Sequence, residues 1–393
     1  MSLKFHWFLP TYGDSRFIVG GGHGVPAGVA GGARPATISY LGQIARSAEQ
    51  LGFEAALTPT GAWCEDAWII DAMVSQVSEH LKFLVAFRPG IMSPTLAAQM
   101  AASFQNATQG RLLLNIVVGG EDHEQRAYGD FLGKDDRYAR ADEWLEVASR
   151  LWTGERVTFK GKHVQVEDAH IPRLPDPIPP YYFGGSSPAA GAVAARHSDV
   201  YLTWGEPVEA VAAKVEWIKG LAAAQGRKVR FGIRLHVIAR DTAEAAWAEA
   251  QRLLDAIDPE TIANVQSGLA RSQSEGQKRM LALHGGSKDN LLVGPNLWAG
   301  VGLVRGGAGT ALVGSHAEIA ERIHEYAAVG IEEFVLSGVP HLEEAYWFAE
   351  GVLPILKADG LWQHPRAAAA PPPTSTVPFA PVATPAKLVA RAE

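Results

Sequence analysis

Short apolar segments alternate with stretches of helical periodicity along most of the chain. Eight of these segments are predicted to be buried β-strands, because each is a brief apolar run bounded by glycine, proline or other turn residues. They are residues 4–10, 53–59, 81–89, 111–120, 179–187, 199–205, 231–239 and 332–338. The stretches between them repeat apolar residues at helical spacing, as in 41–51 and 207–224. Eight β-then-α units favour a TIM (β/α)8 barrel, an α/β fold, over an open doubly wound sheet.

The seventh segment, FGIRLHVIA, carries the most informative side chains. Successive residues of a strand point to opposite faces, so Ile233, Leu235 and Val237 share one face while Arg234 and His236 share the other. A strand this apolar is expected to be buried on both faces, where an unpaired arginine costs several kcal/mol. The pattern predicts an anionic partner for Arg234. That partner is either a bound ligand or an internal carboxylate beside a hydrogen-bonded core histidine.

In a barrel of this kind the active site lies at the carboxyl ends of the strands. The residues near those ends are, in chain order, Tyr12, Cys64, Arg88, Asn115, the turn 184–187, Trp204, Arg234 with His236, and Ser337 with Gly338. We expect these polar and aromatic groups to meet at one mouth of the barrel.

The segment FGGSSPAA has the features of an anion cradle. Gly184 and Gly185 leave backbone N–H groups unobstructed, and Ser186 and Ser187 add hydroxyl groups. Pro188 suits the first turn of a helix, whose positive end would then point at a phosphate. The same segment is equally consistent with an ordinary strand-to-helix turn. The chain has neither G-x-G-x-x-G after a strand nor a P-loop motif, which disfavours dinucleotide and triphosphate folds.

Cys64 and the histidines give weaker signals. Cys64 is the only thiol in the chain, and a lone cysteine is more often a small buried residue than a nucleophile. His123 and His341 lack a second ligand at metal-binding spacing, so no metal site is expected and both are predicted to be solvated loop or helix-start residues.

Two regions fall outside the alternation of strands and helices. Residues 241–293 form a long insertion, helical in pattern at first and then polar and glycine-interrupted, which predicts a mobile lid. Residues 361–393 are rich in proline and alanine and are predicted to be a disordered tail. The barrel domain is therefore expected to span residues 1–360.

Composition narrows the class of protein. The 393 residues carry a formal net charge of −7 with scattered Lys and Arg, so nucleic-acid binding is not expected. There is no leader-like N-terminus and no long uninterrupted apolar run, which argues against secretion and membrane insertion. With one cysteine and no intramolecular disulfide, a reducing cytoplasm is the expected location.

Several segments together resemble a known family. WFLPTYGD, TGAWCEDAW, LKFLVAFRPG, PPYYFGGSS, YLTWGEP, RFGIRLHVIAR, NLWAGVGLVRGGAGTALVG and SGVPHLEEA are similar to the alkanesulfonate monooxygenases of the bacterial luciferase-like superfamily. The resemblance covers about residues 3–350. It implies a two-component TIM-barrel enzyme that receives reduced FMN (FMNH2) from a separate NAD(P)H-dependent FMN reductase. With O2, such an enzyme cleaves an alkanesulfonate into aldehyde and sulfite for sulfur acquisition.

The resemblance also implies roles for particular residues. Arg234 and His236 would lie beside the flavin and bind the sulfonate, and Arg305 would help close the site. Trp204 and Cys64 match positions that line the pocket. Tyr138 and the turn Gly184, Gly185, Ser186 and Ser187 match FMN phosphate contacts, with Asn115 as a further cofactor residue. The family further implies a cytoplasmic homo-oligomer, a dimer or a tetramer.

Two departures from the family pattern bear on substrate range. Tyr12 stands where the family has histidine in PTHGD, and Val339 stands where it has tyrosine in SGYPHLEEA. Two other functions stay open. One is a related barrel enzyme that acts on another organosulfur or organic substrate, with flavin or deazaflavin. The other is a non-catalytic flavin-binding barrel, which would have no need of Arg234, His236 and Arg305.

Overall fold

The computed structural model describes residues 2–25 and 32–368, in which strands and helices alternate as the sequence predicts. The strands are β1 Lys4–Phe8, β2 Ala55–Thr58, β3 Lys82–Phe87, β4 Leu112–Ile116, β5 Val157–Lys160, β6 Gln165–Ala169, β7 Tyr181–Gly184, β8 Val200–Trp204, β9 Arg230–Arg240, β10 Leu292–Gly294, β11 Leu297–Trp298, β12 Ala311–Ser315 and β13 Glu333–Ser337. The helices are α1 Ile38–Leu51, α2 Ala67–Val74, α3 Pro94–Thr108, α4 Asp122–Ala127, α5 Lys134–Trp152, α6 Pro188–His197, α7 Val208–Ala223, α8 Ala243–Asp255, α9 Pro259–Leu269, α10 Glu275–His284, α11 His316–Ala328 and α12 His341–Ala358.

Eight parallel strands close into a barrel. Their order is β1, β2, β3, β4, β7, β8, β9 and β13, and β13 pairs back onto β1 through Lys4 and Glu333. These are the eight segments predicted from the sequence, so the TIM-barrel fold class is confirmed. The interior residues of β9 are all buried, as its apolar pattern requires.

Strand β9 is longer than the neighbouring barrel strand β8, and it therefore pairs with a further strand that the sequence did not predict. Its first half pairs with β8, where Trp204 is opposite Arg234. Its second half projects past the end of β8 and pairs in parallel with β12, where Ala311 is opposite His236. The eight predicted strands do not include β12, which follows a glycine-rich stretch. The pairing brings the loop 304–310 over the mouth of the barrel.

Helix boundaries follow local capping chemistry. Ser93 Oγ accepts the Leu96 N–H at 3.2 Å, and Pro94 begins α3. Ser315 and Glu318 form the expected capping box at the start of α11, each side chain bonded to the other residue's backbone N–H. These short-range bonds fix where each helix starts and therefore which strand ends it leaves open.

A buried charged cluster closes the amino-terminal end of the barrel. Glu333 is fully buried, and its carboxylate contacts His6 Nε2 at 2.9 Å, accepts the Tyr182 hydroxyl at 2.8 Å and pairs with Arg230. Burial opposes ionisation of Glu333, but the contacts with His6, Arg230 and Lys4 outweigh it and lower its pKa to about 2. This cluster lies at the end opposite to the active-site mouth, where side chains serve stability.

The insertion between β9 and β10 forms the helices α8, α9 and α10, which we call the lid segment. Beyond Gly360 the chain still packs on the barrel: Leu3 N–H donates to the Leu361 carbonyl at 2.7 Å, and the Trp362 side chain is buried. The packed part of the chain thus extends past the predicted boundary at Gly360. Residues 369–393 of the predicted tail lie outside the described residues. None of the described helices is long and apolar enough to cross a membrane.

Candidate active site

A cavity opens at the carboxyl ends of the barrel strands. It encloses about 1560 Å3, counting space open to solvent. Most of the residues predicted for the site line it: Asn115, Tyr138, Gly184, Gly185, Ser186, Ser187, Trp204, Arg234, His236 and Arg305. Helix α10 of the lid segment covers one side, so the cavity lies between the barrel and the lid segment.

Arg234 and His236 are joined through one hydroxyl. Arg234 Nη2 donates to Ser337 Oγ at 2.9 Å, and Ser337 Oγ donates to His236 Nδ1 at 2.7 Å. The other ring nitrogen, His236 Nε2, donates to the Ala308 carbonyl at 3.2 Å. These bonds fix the neutral tautomer of His236 with its proton on Nε2.

The charge state of His236 agrees with this tautomer. Burial lowers the pKa of His236 well below its usual range, and the nearby cations Arg234 and Arg305 lower it further. The imidazole is therefore neutral at physiological pH, and its one N–H is already committed to a backbone carbonyl. His236 can orient its neighbours, but it has no free proton to give.

Arg305 lies at the same mouth of the barrel, against Tyr12. Its guanidinium carbon is 4.3 Å from the centroid of the Tyr12 ring, and its Nη1 donates to the Val19 carbonyl at 3.1 Å. Its Nε is buried without a hydrogen-bond partner among the described residues. Tyr12 itself does not line the cavity. Instead, it supports Arg305 from behind through a cation–π contact.

The two cavity arginines share an uncommon property. Both side chains are at least nine-tenths buried, yet neither makes an ion pair with a carboxylate among the described residues. The guanidinium of Arg234 instead stacks on Phe8, 4.7 Å from the ring centroid, and burial lowers its pKa to about 9. A buried guanidinium without an anion is costly, so this side of the cavity is suited to an anionic ligand.

The turn after β7 has the geometry of an anion cradle. Ser187 caps α6 by accepting the Ala190 N–H at 3.2 Å, and Pro188 is the first residue of that helix. A Cβ on Gly185 would lie 2.6 Å from Ala190 Cβ and 3.3 Å from Tyr138 Oη, so no larger residue fits there. Backbone N–H groups at the start of α6, the Ser186 and Ser187 hydroxyls and Tyr138 thus surround one end of the cavity, and they fit a phosphate.

Helix α10 is tied to the barrel beside Trp204. Glu206 Oε1 accepts from Arg279 Nε at 2.5 Å, and its other carboxylate oxygen pairs with buried Lys214. A Cβ on Gly276 would lie 3.0 Å from the Trp204 ring, so the amino-terminal turn of α10 rests on that indole. These contacts hold α10 against the barrel at one side of the cavity.

Cys64 lies outside the lining of the cavity, so the expectation of a pocket-lining thiol is not met. Its Sγ is 3.5 Å from the Gly61 carbonyl and 3.7 Å from the Pro59 carbonyl. Burial raises the pKa of the Cys64 thiol to about 12, so it stays protonated and is a poor nucleophile.

His341 also differs from its sequence interpretation. It does begin a helix, α12, but it is buried rather than solvated, and its Nδ1 lies 3.0 Å from Asp14 Oδ1. Asp14 further accepts the Tyr40 hydroxyl and the His341 backbone N–H. The pair is separated by more than 300 residues along the chain. No local motif could have revealed it.

Sequence reasoning also missed several cavity residues. His23, Trp63, Glu121, Lys134, Glu206 and Lys214 line the cavity without having been predicted. Lys134 is the one with a usable signal, because it precedes Tyr138 by four residues on α5 and so shares its face. Val339 packs in a side cluster with Leu303 and Val304 and does not line the cavity.

Comparison with known proteins identifies a matching family and several similar solved structures. The model of a family described as luciferase-like monooxygenase matches residues 4–333. Among solved structures, the chain is similar to riboflavin lyase (RcaE) with modified FMN and substrate riboflavin, at 20% identity and a TM-score of 0.77, covering 93% of both chains. It is also similar to DmoA from Hyphomicrobium sulfonivorans, at 20% identity and a TM-score of 0.73, over 92% of this chain and 90% of that chain. For long-chain alkane monooxygenase (LadA) the identity is 19% and the TM-score 0.73, over 92% of this chain and 93% of that chain.

Proposed function

Because this chain belongs to the family of luciferase-like monooxygenases, we propose that it is a flavin-dependent monooxygenase that desulfonates alkanesulfonates. With reduced FMN and O2, the proposed products are an aldehyde, hydrogen sulfite, oxidised FMN and water. One oxygen atom of O2 enters the aldehyde and the other enters water. The two electrons beyond those of the substrate come from reduced FMN.

The observation that carries the proposal is the pair of arginines without carboxylate partners. Arg234 and Arg305 are buried, line one cavity and make no ion pair among the described residues. A sulfonate stays anionic at every physiological pH, and a guanidinium can donate two parallel hydrogen bonds to it. An uncharged substrate would leave both cations uncompensated.

The cofactor would be held at the other end of the cavity. Tyr138, Ser186, Ser187 and the free N–H groups at the start of α6 would bind the phosphate, and Gly184 and Gly185 keep the backbone accessible there. Asn115 would contact the cofactor from β4. When bound, reduced FMN supplies the reducing equivalents that activate O2.

The chain's own residues then have separable tasks. Arg234 and Arg305 bind the sulfonate, and Ser337 with neutral His236 holds the Arg234 guanidinium in place. Trp204 forms a flat wall on which α10 rests. The lid segment is proposed to open for entry and to close over bound substrate, excluding water from the reaction.

The same family membership leads us to propose the enzyme's reductase partner, its location and its assembly. A separate NAD(P)H-dependent FMN reductase would supply reduced FMN, and the enzyme would work in the cytoplasm as a homo-oligomer. The barrel with its lid segment would form one catalytic domain, which the sequence bounds at residue 360 and the packing of Leu361 and Trp362 extends to at least residue 362, and the remaining C-terminal tail would take no part in catalysis.

The proposal is tested by anaerobic loading with reduced FMN, followed by O2 and a panel of alkanesulfonates, with sulfite measured. Carboxylates of matched chain length serve as controls, since they share the charge but contain no sulfur to release. We expect sulfite and aldehyde in equal amounts from sulfonates. Absence of sulfite from every sulfonate would refute the proposal.

A further inference from the structure

A histidine that no motif predicted faces the cavity. His23 lies in the glycine-rich loop after β1 and lines the same cavity as Arg234 and Arg305. Its backbone packs against the loop that carries Arg305, because a Cβ on Gly306 would collide with the His23 carbonyl. His23 therefore lines the cavity beside the backbone of the loop that carries Arg305.

A buried carboxylate lies behind this histidine. Glu124 Oε2 is 3.5 Å from His23 Nδ1 and accepts from Arg88 Nη2 at 2.6 Å, while Glu124 Oε1 accepts the Ala62 N–H at 3.0 Å. Burial opposes ionisation of Glu124, but His23, Arg88 and the Ala62 N–H together lower its pKa to about 2. Glu124 is thus a fixed anion that can keep the proton of the imidazole on Nδ1. Contacts of this kind often shorten when ligands bind.

The remaining ring nitrogen of His23 is left for a ligand. The side chain keeps 26% exposure, and its recorded polar contact among the described residues is made through Nδ1, not Nε2. His236, the other histidine in the cavity, has both ring nitrogens engaged. Of the two histidines among the described residues that line the cavity, His23 is the one with an accessible ring nitrogen and a carboxylate 3.5 Å from its other nitrogen.

The chemistry of the proposed function requires a proton carrier. Insertion of one oxygen atom at the carbon bearing the sulfonate gives a 1-hydroxyalkanesulfonate. For this compound to release aldehyde, the hydroxyl proton must leave as the C=O bond forms, and the C–S bond must break with its electron pair remaining on sulfur. The proton then joins sulfite as hydrogen sulfite, so atoms and charge balance without any further oxidant.

We propose that His23 is the catalytic proton carrier of this collapse and that Glu124 is its positioning residue. The inference rests on the proposed function and deepens it. Nε2 takes the hydroxyl proton and returns it to the departing sulfite, while Nδ1 stays protonated toward Glu124. Arg234 and Arg305 keep the sulfonate end fixed during the transfer.

This step can be measured without flavin or O2, because its substrate is the hydrogen sulfite adduct of an aldehyde. The intact protein is mixed with the adduct of butanal, and released sulfite is trapped and followed over time. We expect the wild-type protein to accelerate release above the buffer rate and His23→Ala to lose that acceleration, with partial recovery in added imidazole. His324→Gln is the matched control, since His324 on α11 also pairs with a carboxylate, Asp359 at 2.9 Å just after α12, but does not line the cavity.

Full turnover provides the second readout. His23→Ala should lower kcat on the order of 10²- to 10⁴-fold, the usual range for general acid–base groups, and leave reduced-FMN affinity unchanged. Equal sulfite release from the adduct by wild type and His23→Ala overturns the proposal, as does a wild type that does not exceed buffer. A failure of the proposed function looks different: no alkanesulfonate yields sulfite with reduced FMN and O2, whatever happens to the adduct.

The role of Glu124 has its own measurement. Histidine nitrogen NMR of the wild-type protein should show His23 protonated on Nδ1, and Glu124→Gln should shift it toward a mixture of tautomers and slow adduct collapse. A purely structural ion pair would leave the tautomer unaltered in Glu124→Gln. An Nε2-protonated His23 in the wild type contradicts the assignment.

Discussion

The Arg234 side chain is buried in the barrel wall. Its guanidinium contacts hydroxyl, carbonyl and aromatic groups but no carboxylate among the described residues. We expect Arg234→Ala to cost about 2 to 5 kcal/mol in transition-state stabilisation on sulfonates, the range for truncating a desolvated charge partner. Arg234→Lys should recover only part, because an ammonium cannot reproduce the paired bonds. Steady-state kcat/KM for a sulfonate series measures both.

The control for Arg234 is Arg156→Ala. Arg156 pairs with Asp168 on the exposed hairpin of β5 and β6, so its loss should leave kcat/KM unchanged. Normal kinetics in Arg234→Ala across all sulfonates would place the anion elsewhere in the cavity.

Glu333 gives a residue-scale prediction about stability and pH. Its folded pKa of about 2 lies below the ordinary value, so its contribution is fully present above about pH 4.3 and is lost as pH falls toward 2. The shift corresponds to roughly 3 kcal/mol. Glu333→Gln should therefore lower the free energy of unfolding at pH 7 and flatten its decline below pH 5.

Urea unfolding at a series of pH values measures this effect. Glu155→Gln is the exposed control and should retain the wild-type pH dependence, since Glu155 pairs with Arg150 only at the surface. If Glu333→Gln is as stable as wild type at pH 7, the ionised Glu333 carboxylate does not contribute to the free energy of unfolding.

At the scale of elements, the junction of β7 and α6 tests the cofactor site. Gly185→Ala places a methyl group 2.6 Å from Ala190 Cβ and forces the first turn of α6 to move. Because hydrogen bonds to a charged group contribute about 1.5 to 3 kcal/mol, we expect reduced-FMN affinity to fall about tenfold or more. Gly220→Ala is the control, as a Cβ there meets nothing within 4 Å.

Anaerobic titration followed by flavin fluorescence measures the reduced-FMN affinity of Gly185→Ala and of Gly220→Ala. If Gly185→Ala binds reduced FMN as tightly as Gly220→Ala, the phosphate does not lie at this turn.

The lid segment gives the second element-scale prediction. Helix α10 is held through a few polar contacts, among them Arg279 with Glu206 and the Gly307 N–H with Gln277. We expect trypsin to cut within residues 271–288 of the free enzyme and to cut more slowly with flavin and sulfonate bound. Mass spectrometry of the fragments identifies the sites.

Cleavage at Lys160, on the hairpin of β5 and β6 away from the cavity, is the internal control and should not respond to ligands. Equal protection of both sites would indicate a global effect on stability. Ligand-independent cutting within 271–288 would contradict closure.

At the scale of the whole molecule, the C-terminal region defines how much chain the barrel needs. A protein ending after Ala368 should keep its melting temperature and sulfite yield, because the residues it lacks are rich in proline and alanine. A protein ending after Gly360 loses the buried Trp362 and the Leu3–Leu361 bond, at a cost of roughly 3 to 5 kcal/mol.

Thermal unfolding of the two truncated proteins and of Trp362→Ala checks this difference. Trp362→Ala should reproduce most of the loss seen on ending after Gly360. A large loss on ending after Ala368 would instead mean that the predicted tail supports the fold.

The sequence by itself determined the eight barrel strands and the shared face of Arg234 and His236, because periodicity and strand alternation are local properties of the chain. It also located the turn 184–187, whose glycines and N-cap serine act within a few residues. Only the tertiary structure decided the neutral tautomer of His236, the exclusion of Cys64 from the cavity and the pairing of His23 with Glu124. These depend on burial and on distances between residues about a hundred positions apart, and no local pattern carries that information.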